Sequence, residues 1–300
     1  METKALILDT KTTKKLHFQY IINPISGVSK KLRIVEKVQS LMPKTTNYGI
    51  TFTQEVGHAS QIAREAVEKK VDAVIAVGGD GTVNEIAKSL VHTDVALGLI
   101  PCGSGNGFAR HLKIPLNSEK AIQRINEFNV KKIDAAKINR EVFVASAGFG
   151  FDAQVSEKFN QSKQRGFLAY MQLGAKEFFN YKPQTFDIVI DGEKKTVTVF
   201  LLTVANIGQY GNNAWIAPQA SVLDGKLNVC MLKPFPPHLA PDIIYKVFNK
   251  QIEASDYYES FEAETIEIIN PGKYHVDGEH KLSSTDLKIK VLPGALKVIY

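Results

Sequence analysis

The apolar run Val74–Val77 ends on Gly78, Gly79 and Gly81, and the chain restarts at once as the helical pattern "TVNEIAKSL". This strand–glycine–helix unit is what most limits the possible folds. A crossover through a helix is how parallel neighbouring strands are joined. The same rhythm surrounds it. "LHFQYII" (16–22), "YGITF", "DAVIAV" and "VALGLI" (95–100) read as strands. "KKLRIVEKVQSLM" (30–42) and "HASQIAREAVEKK" carry apolar residues at helical spacing. Such alternation predicts βαβ units and a parallel sheet covered on both faces, with ligands beyond the carboxyl ends of its strands.

After about residue 130 the pattern becomes strand-like: "FVASAG", "TFDIVIDGEKKTVTVFLLTVAN", "KLNVCML", "ETIEIIN", "KYHVDGEH", "LKIKVL" and "LKVIY". Asp191-Gly192 and Asp277-Gly278 are hairpin pairs. Helical spacing is clearest over 167–181 and in "PDIIYKVF". The expectation is an α/β domain over residues 1–133, then a mostly antiparallel β-sandwich domain over 134–300, whose last ten or so residues return to the first domain. Three hundred residues suffice for two such domains.

Three loops leave strand ends on the predicted rim: "NPISG" (Asn23 to Gly27), "GGDGTVNE" (Gly78 to Glu85) and "PCGSGNGFAR" (Pro101 to Arg110). Each opens a helical pattern, so each offers unpaired N–H groups and a positive helix end to an anion. Any one loop has a structural explanation. Thr82 and Glu85 have capping-box spacing, glycines serve tight turns, and Asn23-Pro24 is a turn pair. Three on one rim favour phosphate binding. Asp80 among them would repel phosphate unless a divalent cation, Mg²⁺ carried by a nucleotide, lies between. Neither the P-loop pattern nor G-x-G-x-x-G is present.

Together these loops resemble those of the diacylglycerol kinase catalytic-domain family, which includes bacterial soluble lipid kinases, sphingosine kinases and ceramide kinases. The similarity runs in order from "IINPISG" to "VDGEH". "GGDGT" alone also occurs in NAD kinases. The resemblance implies a nucleotide-binding α/β domain of NAD kinase and diacylglycerol kinase type, followed by a β-rich domain. It implies ATP contacts at Asn23, Pro24, Ile25, Ser26 and Gly27, and at Gly79, Asp80, Gly81, Thr82, Val83, Asn84 and Glu85. Thr53 in "TQEVGHA" and Ser104 in "GSGNG" join them. Many bacterial relatives read Asn-Asp where this chain has Asn106-Gly107.

"YHVDGEH" supplies Asp277 and Glu279, whose side chains share a direction if the segment stays extended, or flank a hairpin turn if it does not. The resemblance implies that this element holds the general base: Glu279 first, Asp277 as alternative or partner. "ASVLDGKL" resembles the family's structural magnesium loop with Leu223 in place of one aspartate. That implies Asp224 as ligand with backbone carbonyls of Ser221 and Lys226, although a plain hairpin turn reads equally well. Asp134 matches a family aspartate at the domain junction, with a role in the cleft.

The implied activity is an ATP- and Mg²⁺-dependent transfer to the hydroxyl of a diacylglycerol or sphingoid-type lipid. The alternatives are an NAD kinase-like enzyme and a non-catalytic nucleotide or lipid sensor. The net charge of +6 suits anionic partners. In Lys158–Lys182, the helical apolar face either packs into the core or lines a lipid entrance with Phe167, Tyr170, Met171 and Phe178 while Lys158, Lys163 and Arg165 face headgroups. Peripheral membrane contact is therefore expected, and a homodimer is compatible with the sequence. No nucleic-acid-reading motif appears, and the seven histidines have no zinc spacing. Only Cys102 and Cys230 are present, without a disulfide framework; the N-terminus has no signal-peptide pattern and no apolar run would span a bilayer, so a cytoplasmic setting is expected.

Overall fold

The computed structural model describes residues 15–24, 28–162 and 166–300. The first part runs β1 (His17–Ile22), α1 (Val28–Leu41), β2 (Asn47–Phe52), α2 (His58–Glu68), β3 (Ala73–Gly78), α3 (Asp80–Leu90), β4 (Ala96–Pro101), α4 (Gly107–His111) and α5 (Ser118–Glu127). Strands β2, β1, β3 and β4 pair in that order, all parallel. Alternation along β1 sorts its side chains between two cores. Phe18, Tyr20 and Ile22 pack with Ile34 and Val38 of α1 and Ile122 and Ile125 of α5. Ile21 faces Ala63 of α2 and Val83 and Ile86 of α3. Each fully buried Ile or Val here stabilises the fold by roughly 1.5–3 kcal/mol.

The chain continues through β5 (Val130–Ile138), β6 (Glu141–Phe143), β7 (Ser146–Gly150), α6 (Phe151–Gln161), α7 (Phe167–Phe178), β8 (Gln184–Ile190), β9 (Glu193–Val199), β10 (Leu201–Ala205), β11 (Leu227–Leu232), α8 (Ala240–Phe248), β12 (Tyr258–Ala263), β13 (Thr265–Ile269), β14 (Gly272–Val276), β15 (Glu279–Ser283) and β16 (Leu287–Ile299). One antiparallel sheet has the order β12-β11-β10-β7-β14-β15. It packs Phe149, Leu202, Val229 and Val276 against Ile188, Ile266 and Ile289 of a second layer. The mostly parallel sheet and the following antiparallel sandwich are thus both present.

The second layer is continuous with the parallel sheet. Strand β16 pairs antiparallel with β13 over its first half and with β5 on both sides of its bend, and reaches β4 in parallel at Val298↔Leu97. A register shift between Leu292 and Leu296, with Gly294 at φ 57°, bends the strand between these duties. Strand β5 crosses residues 133 and 134 without interruption.

The run Val197–Ala205, one apolar stretch in the sequence, is two strands in two different sheets. Phe200 is the crossover, its N–H donating to the Leu232 carbonyl. The segment Lys158–Lys182 is likewise split, α6 ending at Gln161 and α7 beginning at Phe167.

Candidate functional site

The three glycine loops and Thr53 occupy one edge of the parallel sheet. Asn23 N–H donates to Val77 O (3.2 Å), Thr53 N–H to Ile22 O (2.9 Å) and Cys102 N–H to Gly78 O (2.7 Å), so the loops are laced at the carboxyl ends of β1, β3 and β4. Asn23 Nδ2 donates to Thr82 Oγ1 (3.3 Å), joining the first loop to the second. Pro24 lies beside Asn23; Ile25, Ser26 and Gly27 lie outside the described residues.

Helix α3 begins with Gly79 as N-cap in extended geometry and no side-chain cap. The capping-box alternative for Thr82 and Glu85 is not what forms. The first intrahelical bond is Val83 N–H to Gly79 O (3.1 Å), which leaves the N–H groups of Asp80, Gly81 and Thr82 without intrahelical partners. Gly81 is exposed at this opening. Val83 instead packs into the core, Asn84 is buried, and Glu85 accepts the Gly57 N–H (3.2 Å) at the start of α2. The opening turn of α3, rather than its whole first half, is what presents main-chain N–H groups free of intrahelical bonds.

Glycine is required here by contact. A Cβ on Gly103 would sit 2.5 Å from Gly79 Cα, and one on Gly78 would fall 2.5 Å from Thr82 Oγ1. The third loop is closed by Asn106, in left-handed geometry (φ 51°), whose side chain bonds both Gly103 N–H (2.9 Å) and Gly103 O (2.8 Å). Exposed Ser104 faces Gly166 at the entry to α7.

Asp80 departs from expectation. Its Oδ1 accepts the Phe108 N–H (3.1 Å) at the start of α4. Burial pushes its carboxyl above the usual range, opposed by the amides of Phe108, Gly107 and Asn106. The charge that called for a cation therefore already has main-chain partners, and its visible work is to seat the third loop on the second. Gly107, where many relatives carry aspartate, is explained the same way. A Cβ there would come within 3.0 Å of Gly211 N and 3.1 Å of Gln209 O.

That contact introduces a loop the sequence reading passed over, 206–214, "NIGQYGNNA". It brings the second half onto α4: Asn212 N–H donates to Gly105 O (3.1 Å), Arg110 to Asn213 Oδ1 (3.3 Å) and Gly208 N–H to His111 Nδ1 (3.1 Å). Its glycine and asparagine content was the available signal, since Asn212 and Asn213 both adopt positive φ.

Asp277 and Glu279 are not on an extended strand. Asp277 (φ 49°) and Gly278 (φ 84°) form the two-residue turn between β14 and β15. The turn separates their roles. Asp277 accepts N–H bonds from Val144 (3.1 Å), Ala145 (2.8 Å) and Ser146 (3.0 Å), so it faces inward, while Glu279 is exposed. Burial raises the Asp277 carboxyl against the pull of those amides. Both Asp277 oxygens are occupied by main-chain donors, which turns them away from the surface that Glu279 faces. Glu141 ties this hairpin to α3, bridging Lys88 (3.1 Å) and Lys281 (3.0 Å).

Asp134 is buried and holds two backbone amides, Gly225 (2.7 Å) and Gly294 (2.7 Å). It braces the "LDG" loop and the β16 bend rather than projecting into a cleft. In that loop Asp224 Oδ1 accepts the Lys226 N–H (3.0 Å), Ser221 Oγ accepts the Leu223 N–H (3.2 Å), and the Lys226 ammonium pairs with Glu262 (2.6 Å). Asp224 is exposed and its Oδ1 is used by its own turn, and no cluster of three acidic, histidine or cysteine side chains suited to a metal occurs among the described residues.

In Lys158–Lys182, two of the residues named for a lipid entrance, Tyr170 and Phe178, are taken up in packing, and the exposed apolar side chains are others. Phe178 packs on Phe151, Phe200 and Phe235, and Tyr170 bonds Asp152, whereas Leu168 (72%) and Phe179 (80%) are exposed. Lys163, Arg165 and the side chain of Phe167 lie outside the described residues.

Comparison with known proteins agrees with this geometry. Residues 17–138 match the family model described as diacylglycerol kinase catalytic domain, and 145–300 match the YegS C-terminal NAD kinase beta sandwich-like domain. The chain is 31% identical over 224 residues to a diacylglycerol kinase of Bacillus subtilis, covering 71% of this chain and 72% of that one. It is 28% identical to a diacylglycerol kinase of Mycobacterium tuberculosis, covering 93% of each. A crystal structure of a putative diacylglycerol kinase from Bacillus anthracis superposes with a TM-score of 0.79 at 25% identity, over 98% of both chains. The chain belongs to the diacylglycerol kinase catalytic-domain family, a family of lipid kinases.

Proposed function

We propose that this protein transfers the γ-phosphoryl group of ATP, taken as its magnesium complex, to a hydroxyl of a lipid such as diacylglycerol or a sphingoid base. The observation that carries this reading is the pairing of an uncapped α3 N-terminus with an outward-facing Glu279, on elements joined through Lys88–Glu141–Lys281. Amides of Gly81 and Thr82 hold phosphate oxygens, and Asn23, Thr53 and Ser104 surround them. Main-chain donors fixed in a rigid loop stabilise spreading phosphoryl charge without reorganising. Magnesium, arriving with the nucleotide, neutralises the phosphate charge. As the acceptor oxygen bonds to the γ-phosphorus and the β–γ bridging bond breaks, Glu279 takes the hydroxyl proton and ADP leaves.

Among the described residues, no helix is long and apolar enough to cross a membrane. On this reading the enzyme reaches its acceptor from the bilayer surface, through contact that added salt weakens.

Purified protein incubated with labelled ATP and a panel of diacylglycerol, sphingoid bases, ceramide, monoacylglycerol and polyprenols will yield one or more phosphorylated lipids. E279Q will lower turnover by about 10²–10⁴-fold while calorimetric ATP affinity is retained. A panel with no labelled lipid, or an E279Q variant of full activity, contradicts the reading.

A further inference from the structure

The Asp277 N–H and carboxylate and both main-chain groups of Gly278 are held from behind. Asp277 N–H donates to Ser146 O (2.8 Å), and its carboxylate is taken by three amides. Gly278 N–H is directed at His275 Nδ1 (3.3 Å), and Gly278 O accepts from Ser156 Oγ (2.8 Å) and Asn160 Nδ2 (3.3 Å). Asp152, Ser156 and Asn160 are spaced i, i+4, i+8 on α6, so one polar stripe of that helix runs behind the turn. Asp152 and Ser156 are the stripe's buried members. Asp152 Oδ2 lies 2.8 Å from His275 Nε2, and its Oδ1 accepts the Tyr170 hydroxyl (3.0 Å).

The His275–Asp152 contact is built into the fold. His275 is 3% exposed and Asp152 5%, and a Cβ on Gly148 would sit 2.2 Å from His275 Nε2 and 2.4 Å from Asp152 Oδ2. A glycine in the middle of a central strand is costly, and here it makes the space for an imidazole beside a carboxylate. A buried His–Asp pair is a weak source of stability because of its desolvation cost. What it does supply is placement: Asp152 closes on the Nε2 side of the ring, a close approach without hydrogen-bond geometry, and Nδ1 is left facing the Gly278 N–H.

We infer that His275, with the α6 stripe Asp152–Ser156–Asn160, is a positioning device for the phosphoryl-transfer reaction, holding the Asp277–Gly278 turn so that Glu279 meets the acceptor hydroxyl. This rests on Glu279 being the base. None of the four is assigned contact with substrate; they act through the turn. A displacement of about 1 Å at a reacting group costs on the order of 10²-fold in rate.

Two histidine replacements separate positioning from packing. In H275N the amide oxygen takes the place of Nδ1 and keeps an acceptor for Gly278; in H275Q the amide lies near Nε2 and that acceptor is lost. H275Q will lower kcat by about 10–100-fold with KM for ATP unchanged, H275N will recover most of the loss, and S156A will fall between them. In an E279Q background, H275Q will cost nothing further, because a device that aims Glu279 has nothing left to aim. Hydrogen exchange supplies a readout independent of the acceptor: amides of 277–280 will exchange roughly tenfold faster in H275Q than in wild type or H275N, as local opening costs less. Full activity of E279Q overturns the base assignment itself. An inactive E279Q, combined with an H275Q loss that multiplies onto it or is absent, overturns the positioning role. Unchanged exchange at 277–280 in H275Q overturns it as well.

Discussion

His111 gives a test of how the two halves are fastened. It closes α4, and its Nδ1 accepts the Gly208 N–H (3.1 Å) while the ring lies 6.5 Å from that of Trp215. Burial, aided by the charge of Lys250, pushes this imidazole from 6.5 down to about 4. Because Nδ1 is used as an acceptor, the folded protein needs the neutral ring. Between pH 6.5 and 4 the unfolded chain therefore binds a proton that the folded chain refuses, and stability declines as pH falls through that window. At 1.36 kcal/mol per pKa unit, the loss between neutral pH and pH 5 is about 2 kcal/mol. H111N keeps an acceptor for Gly208 and does not titrate. Its lost ring packing lowers stability by an amount independent of pH, so only the slope is diagnostic. Urea unfolding of both proteins from pH 7.5 to pH 5 should show wild type losing about 2 kcal/mol more than H111N. Parallel stability curves would refute the argument, since they would mean that His111 protonates equally in both states.

The glycine contact between the second and third loops predicts that G103A, with its Cβ 2.5 Å from Gly79 Cα, will destabilise the protein by about 1–3 kcal/mol and weaken ATP binding measured by calorimetry; unchanged affinity would show that the loops can part without effect. The ligand-poor Ser221–Lys226 loop predicts that chelation without nucleotide leaves the melting temperature unmoved, and a drop restored by added magnesium would show a resident cation.

The parallel half was legible because its signals are local. Ile21 and Ile75 belong to fully buried strands, and the glycines after Val77 mark where the chain must turn close to other backbone. The Asp191-Gly192 and Asp277-Gly278 turns were legible for the same reason, as both need positive φ at adjacent residues. What was hidden depends on long-range partners. Nothing near Asp80 announces that its carboxylate belongs to Phe108, or near Asp134 that its oxygens belong to Gly225 and Gly294. Phe200 looks like the middle of one strand because hydrophobicity does not say which sheet a residue enters. Asp152 and Ser156 of the α6 stripe are polar at helical spacing but buried, a combination that periodicity alone reads as a solvated face.

Those long-range ties bear on how donor and acceptor are brought together. The parallel sheet continues into the sandwich through β16, whose bend at Gly294 is held by Asp134. The third glycine loop is bonded to residues 208–213, and α3 reaches the Glu279 hairpin through Glu141. Rotating one half against the other would break a strand pairing, two hydrogen bonds to a buried carboxylate and a bridged ion pair together. Breaking the buried carboxylate's bonds alone leaves a desolvated charge, at a cost of several kcal/mol. On the proposed function, the glycine loops and Glu279 are therefore set at a distance decided by the sheet, and adjustment to the acceptor falls to shorter elements such as α7, which meets Ser104 at Gly166 and Asp152 through Tyr170. This is why placement of the Asp277–Gly278 turn matters: in a scaffold with little hinge freedom, an error in aiming Glu279 is not corrected by closure.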